Sequence, residues 1–219
     1  MKMRVFVWDL PTRLFHWALV LTFAGLWYSG TQGGEMLQYH IWLGYGMATL
    51  LLFRLIWGVL GSQTARFVQF VRGPASMLDY ARGQLPEEKI PGHNPMGGMM
   101  VMLLLALLIA QVLTGLFAAD IDSYAYDGPL VHLVDTEQAE AITLWHKALV
   151  NVLLGAVALH LSAIVFYALV KRQNLVGPML TGYKSFEREV GKLDFTPGII
   201  ALVSLIVSAG AIYTLVTRL

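Results

Sequence analysis

The chain contains no cysteine. That absence excludes disulfides, thiolate-held iron–sulfur clusters, thiol nucleophiles and the thioether attachment of a c-type haem. Charge is scarce as well. Asp, Glu, Lys and Arg make up 13% of the 219 residues, about half the share that a soluble domain carries. No GxGxxG or P-loop pattern occurs, so nucleotide binding has no motif behind it. Acids are missing altogether from the five longest apolar stretches, which removes the carboxylates that a divalent-cation path through a membrane would use.

What is present is hydrophobic: 57% of the chain, with apolar runs at about 13–30, 38–61, 96–118, 142–170 and 197–217. Roughly 20 apolar residues span a hydrocarbon core of about 30 Å. Lipid offers no partner to a backbone N–H or C=O, so such runs must be helical. The expected architecture is an all-α integral membrane protein, with residues 1–219 forming a single membrane domain. The N-terminal run is interrupted by "DLPTR" and followed by no small-x-small cleavage site, so it is expected to be a retained first helix. No internal repeat is apparent. Residues 62–95 form the one long polar connection, and "ARFVQFVRGPASMLDYARG" predicts an interfacial amphipathic helix within it.

Basic residues cluster in alternate connections. Lys2, Arg4 and Arg13 precede the first run; Arg66, Arg72, Arg82 and Lys89 follow the second; Lys171, Arg172, Lys184, Arg188 and Lys192 follow the fourth. The remaining connections carry Glu35 in one and Asp120, Asp122, Asp127, Asp135, Glu137 and Glu140 in the other. The positive-inside rule then predicts a cytoplasmic N-terminus and, with five spans, a C-terminus outside. The acidic connection opens like a calcium loop, but Tyr124 stands where an oxygen ligand is needed and the required glycine does not follow. It is either a solvated acidic loop or a docking surface for a basic partner.

Histidines break the apolar runs. His146 and His160 lie fourteen residues apart in the fourth. Fourteen residues turn a helix through about 1400°, within about 40° of four full turns, and climb about 21 Å. One helix face therefore offers an imidazole at two depths. His40 opens the second run on the outer side, and His16 lies in the cytoplasmic half of the first. Depth pairs His40 with His146 and His16 with His160. Two facing imidazoles suit the iron of a haem b and leave it no open axial position. Gly25, Gly44 and Gly155 would let a flat macrocycle approach backbone, although glycines in membrane helices also serve helix packing. A lone buried histidine is more often structural, and a metal-ion pathway remains the competing explanation of all four.

The stretches "RLFHWALV", "YHIWLGYGMATLLLFRLIWGVLG", "GHNPMGG", "LWHKALVNVLLGAVALH" and "MLTGYKS" occur in this order. Together they resemble the bacterial cytochrome b561 family, nearest to the b-type cytochrome subunits of membrane-bound nickel–iron hydrogenases. The cytochrome subunit of respiratory formate dehydrogenase is a more distant likeness. The resemblance covers residues 8 to 186. It implies a four-helix bundle holding two haems b, with His16, His40, His146 and His160 as ligands, that passes electrons between a partner protein and the quinone pool. The stretch 187–219 lies beyond the likeness and adds a fifth helix to the 1–186 bundle. The implied donor is a periplasmic c-type cytochrome or a hydrogenase-like subunit.

Other residues admit a bland and a functional explanation. Arg54 is suited to a haem propionate by its bidentate geometry, or it snorkels to the interface. Arg13 and Trp17 flank His16 and are placed to border a haem edge, although tryptophan at an interface is ordinary. In "GHNP", Asn94 and Pro95 are good N-cap and first-turn residues, while His93 or Asn94 could donate to a quinone carbonyl, with Tyr183 and Lys184 on the same surface. The expectation is therefore a two-haem membrane cytochrome of the bacterial inner membrane, the quinone-reactive electron-transfer subunit of an oxidoreductase. The rivals are a free-standing oxidoreductase acting on superoxide or another small molecule, and a histidine-lined metal-ion transporter.

Overall fold

The computed structural model describes residues 3–120 and 125–218. Lys2 and residues 121–124, which include Asp122 and the Tyr124 of the calcium-like sequence, lie outside them.

The chain is mostly helical. In order it forms β1 (Met3–Phe6), α1 (Leu10–Gln32), α2 (Met36–Leu60), α3 (Phe67–Phe70), α4 (Pro74–Ala81), α5 (Pro95–Leu116), α6 (Thr136–Leu169), α7 (Val176–Thr181), β2 (Tyr183–Phe186) and α8 (Gly198–Arg218). Among the described residues four helices are long and apolar enough to cross a membrane: α2, α5, α6 and α8. The first expected span is present as α1, 23 residues long, but is not among these four. Arg13, His16, Trp17, Trp27 and Tyr28 dilute its hydropathy. Large apolar side chains lie open on helix flanks, with Leu21 73% exposed and Leu144 and Trp145 66% each. In water such surfaces would be a liability; in lipid they are solvated.

Local signals explain the helix ends. Asp9 caps α1, its Oδ1 accepting from the Thr12 N–H at 2.8 Å. Asn94 caps α5, its Oδ1 accepting from the Gly97 N–H at 2.7 Å, with Pro95 in the first turn. Helix α6 starts two turns earlier than its apolar run. Asp135 accepts from the Gln138 N–H at 2.8 Å, and the Asp135 N–H donates back to Gln138 Oε1 at 3.3 Å. This reciprocal cap makes "DTEQ" the true start. The α1–α2 connection turns through Gly33 and Gly34, both at positive φ (66° and 55°), a conformation that costs glycine little.

The expected interfacial helix of the 62–95 connection is broken in two. Gly73 is extended and Pro74 starts a new helix, so α3 is one turn and α4 two. A Pro cannot continue a helix already under way.

The chain divides into two compact units. The first comprises the described residues up to Phe15 with Arg54–Leu104 and Val157–Ser204; the second comprises His16–Phe53, Leu105–Ala156 and the described residues from Leu205. The first contains a small antiparallel ribbon that the apolar runs did not foretell: β1 pairs with β2, Met3 opposite Phe186 and Phe6 opposite Tyr183. Gly182 at φ 86° ends α7 and turns into β2. A Cβ there would come 2.5 Å from the Phe6 ring, so the position takes only glycine. Val7, Trp8 and Phe186 form a buried cluster over this ribbon, with Met179 and Leu193 against it.

Candidate functional site

The second unit brings His40 and His146 together. His40 sits in the first turns of α2 and His146 in α6. Their ring centres are 6.1 Å apart and their planes cross at 89°. Each ring is anchored at one nitrogen. His40 Nδ1 lies 2.9 Å from the Leu26 carbonyl oxygen, and His146 Nδ1 lies 3.0 Å from that of Gln111. A carbonyl can only accept. Both Nδ1 atoms therefore carry a proton, and in a neutral ring that leaves Nε2 as the nitrogen with the lone pair. The rings line a cavity of about 440 Å³ bounded by α1, α2, α5 and α6, with Phe23, Leu108 and Leu153 among its apolar walls.

Sequence reasoning did not single out the residues that hold these rings. Gly30 faces His40, where an added Cβ would come 3.0 Å from Cε1; Gly115 faces His146, where it would come 2.9 Å from Cε1. Gln111 donates from Nε2 to the His146 carbonyl at 3.0 Å, and Thr114 Oγ1 is 3.1 Å from His146 Nδ1. Of the glycines named from sequence, Gly44 lines the cavity with open space where a Cβ would go, and Gly155 also faces open space. Gly25 instead packs against Leu43, 2.9 Å from its hypothetical Cβ, which is helix packing.

The other candidates are placed as follows. His160 is half-buried in α6, on the helix that carries His146, and belongs to the first unit. His16 belongs to the second, where its ring meets Trp17 edge-on at 5.0 Å. His132 is exposed in a short 3-10 turn. Arg54 does not snorkel. It is 3% exposed, donates from Nη2 to the Ala65 carbonyl at 3.1 Å, and lies 4.7 Å over the Phe67 ring with Phe15 and Phe70 about it. Its Nη1 has no hydrogen-bond partner among the described residues. Arg13 donates to the Leu180 carbonyl, fastening the start of α1 to α7.

In the first unit His93 is gripped between Trp8 and Phe70, with ring centres 4.6 Å away on each side. The Asn94 amide nitrogen donates to Tyr80 Oη and Tyr167 Oη at 3.0 Å each, and the two hydroxyls are 3.0 Å apart. These tyrosines border a groove lined by Met96, Leu159 and Phe166. Tyr183 packs on Phe6 and under Arg4; Lys184 lies 5.0 Å over the Phe186 ring. Both belong to the ribbon. In the acidic connection, Asp127 Oδ1 accepts from the Asp120 N–H at 2.7 Å and Asp120 Oδ2 from the Ala125 N–H at 3.3 Å. Among the described residues no group of three or more His, Cys, Asp or Glu side chains could hold a metal ion by itself.

A helical chain with several membrane-spanning helices and a pair of anchored, metal-ready imidazoles in an apolar cavity defines a multi-pass membrane protein suited to a flat metal cofactor. The chain belongs to the prokaryotic cytochrome b561 family, whose pattern matches residues 7–182. It is 26% identical over 214 residues to a probable Ni/Fe-hydrogenase B-type cytochrome subunit of Azotobacter chroococcum mcd 1, and 27% identical over 216 residues to the protein of the same description in Azotobacter vinelandii. Each alignment covers 84% of this chain and 89% of the relative. No solved structure matches it significantly. Membership makes the chain a b-type membrane cytochrome that transfers electrons.

The paired histidines fit a haem. An imidazole nitrogen stands about 2 Å from a metal it ligates, so a metal held between two imidazoles would set their ring centres roughly 6 Å apart, close to the 6.1 Å between His40 and His146. The Nδ1 anchors are the outer partners that a ligating histidine needs.

Proposed function

We propose that this chain holds two haems b, one between His40 and His146 and one between His16 and His160, and passes electrons between a redox partner outside the membrane and quinone. The observation that carries the proposal is the His40–His146 pair, each ring anchored at Nδ1 and the two ring centres 6.1 Å apart. For the second pair the support is the presence of His146 and His160 on one uninterrupted helix, α6, and the family's ligand motifs.

When bound, haem supplies one-electron iron chemistry. The chain's own part is to hold the rings in one tautomer, exclude water with Phe23, Leu108 and Leu153, and keep fixed distances. Residues 1–186 form the cytochrome bundle, and α8 with its approach is a fifth helix within the same domain. The distribution of basic residues supports a cytoplasmic N-terminus and an external C-terminus in a bacterial inner membrane. The relatives' description supports a hydrogenase-like partner, and a c-type cytochrome serves the same chemistry. The acidic 120–140 connection, charged at Asp135, Glu137 and Glu140, suits a basic docking face.

A reacting quinone needs hydrogen-bond donors at its carbonyl oxygens beside a haem. Asn94, with His93 in the same turn, is retained for that role, and Tyr80 and Tyr167 join it as hydroxyls that the Asn94 amide holds in place. Arg54, with one guanidinium nitrogen uncommitted among the described residues, is suited to a haem propionate.

Haem quantitation on the purified protein should return two per chain, all extractable by acid–acetone; a colourless protein or a ratio near one overturns the two-haem proposal. Asn94→Asp tests the quinone end, because it keeps the Oδ1 cap of α5 and removes the amide donors. Loss of about one hydrogen bond's worth, near 1 kcal/mol, should slow reoxidation of the reduced protein by a soluble quinone about fivefold to tenfold, with haem content unchanged. Unchanged reoxidation places the quinone elsewhere.

A further inference from the structure

The two histidines of the cavity are held by the same five-residue arrangement, repeated on helices far apart in sequence. In α1 it is Leu26, Ser29 and Gly30; in α5 it is Gln111, Thr114 and Gly115. The first position offers its carbonyl oxygen to the ring's Nδ1, at 2.9 Å from Leu26 and 3.0 Å from Gln111. The fourth places a hydroxyl by the same nitrogen, Ser29 at 3.4 Å from His40 and Thr114 at 3.1 Å from His146. The fifth is a glycine, without which neither ring could come so close.

The direction of these bonds follows from where the hydroxyl protons go. Ser29 donates to the Gly25 carbonyl at 2.7 Å and Thr114 to the Ala110 carbonyl at 2.9 Å. With its proton spent on its own helix, each hydroxyl turns a lone pair toward the histidine. Each Nδ1–H therefore faces two acceptors, a carbonyl and a hydroxyl. An acceptor on that proton draws it outward and pushes electron density toward Nε2, which makes the ring a stronger donor to a metal.

The two cradles are not equal. Thr114 lies at ordinary hydrogen-bond distance, whereas Ser29 is at the long limit. Gln111 further adds an amide that donates to the His146 carbonyl at 3.0 Å and lies 3.2 and 3.3 Å from the two ring nitrogens. Leu26 brings only its carbonyl.

We propose that Thr114, and more weakly Ser29, are positioning residues that set the electron-donating strength of the two ligand imidazoles and so hold down the reduction potential of the haem they share. The proposal rests on the reading that His40 and His146 ligate one iron. A more strongly donating imidazole favours ferric over ferrous iron, so each hydroxyl acceptor makes that haem harder to reduce.

The test uses the purified, haem-loaded full chain, with haem content and spectroelectrochemical titration as readouts. Thr114→Val keeps the side-chain shape and removes the acceptor. It should leave haem content unchanged and raise one haem's potential, so that its reduced-to-oxidised ratio at fixed applied potential rises roughly threefold to tenfold, tenfold being about 59 mV for a one-electron couple. Thr114→Ser should return the potential to near its original value. Ser29→Ala should move the same haem in the same direction by less, which keeps the proposal testable should the valine variant fold poorly. An unmoved potential at full haem content in Thr114→Val, equal shifts of both haems, or a Ser29→Ala shift in a different haem would each overturn it. Full haem content in His146→Leu would instead refute the underlying ligand assignment, a result separable from any of these.

Discussion

His146→Leu is expected to halve the haem content of the purified protein, from two per chain to one, without unfolding it. Leucine is a good helix former, and His146 sits about three turns into a helix of 34 residues. The backbone is therefore undisturbed. What disappears is the imidazole that lines the cavity, together with the bonds from its ring to Gln111 and Thr114. His40→Leu should remove the same spectral component, because the two rings face each other at 6.1 Å. His160→Leu should remove the other component, and His132→Ala, an exposed position, neither. Difference spectra of the four variants decide the pairing. If His40→Leu and His146→Leu abolished different components, the assignment of one haem to that pair would be refuted.

Gly115→Val should produce an unusual combination, a protein that is no less helical but has lost the same haem. Gly115 is the last residue but one of α5 (Pro95–Leu116), where a change of residue alters the helix content little. Here, however, the first added carbon would lie 2.9 Å from His146 Cε1, and valine's methyl groups cannot be turned away freely. The ring must swing off its Gln111 anchor. Disturbing an outer partner of a metal ligand typically lowers metal affinity about 10–100-fold, so Gly115→Ala should already lose haem on dilution and Gly115→Val should not retain it through purification. Gly30→Val should do the same through His40, where the added carbon would lie 3.0 Å from the ring. The measurements are haem per chain and thermal melting by far-ultraviolet circular dichroism. Full haem content in both valine variants would mean that the rings do not depend on these close approaches.

The two glycines also show where sequence reasoning stopped short. Gly25, Gly44 and Gly155 were the natural choices because they stand on the apolar runs near histidines. Gly25 turns out to meet a leucine of α2, whereas Gly30 and Gly115 meet His40 and His146. A signal did exist: "LWYSG" and "QVLTG" share a hydroxyl residue followed by glycine, three and four positions after the carbonyl that each ring uses. Five residues with two similarities are too little to stand out as a repeat until the histidines are seen docked on both. Asn94 is a different case. Its capping role was legible from "NP" because it is local, but its amide pairs with hydroxyls 14 and 73 residues away, and no local pattern announces those.

The sequence by itself determined the class of the molecule. Long acid-free apolar runs can only be helices in lipid, and their periodicity puts His146 and His160 on one face of one helix. The order of the histidine motifs marks the cytochrome b561 family. All of these are properties of single elements or of chain order. The tertiary structure alone decided which carbonyl, hydroxyl and glycine hold each ring of the His40–His146 pair. It also decided that Arg54 is buried among three phenylalanines rather than reaching the interface, and that Tyr183 and Lys184 belong to a ribbon with the N-terminal strand. The physical reason is common to all three. Helical periodicity says which way a side chain points from its own axis, but its partner is set by how elements distant in sequence pack against one another.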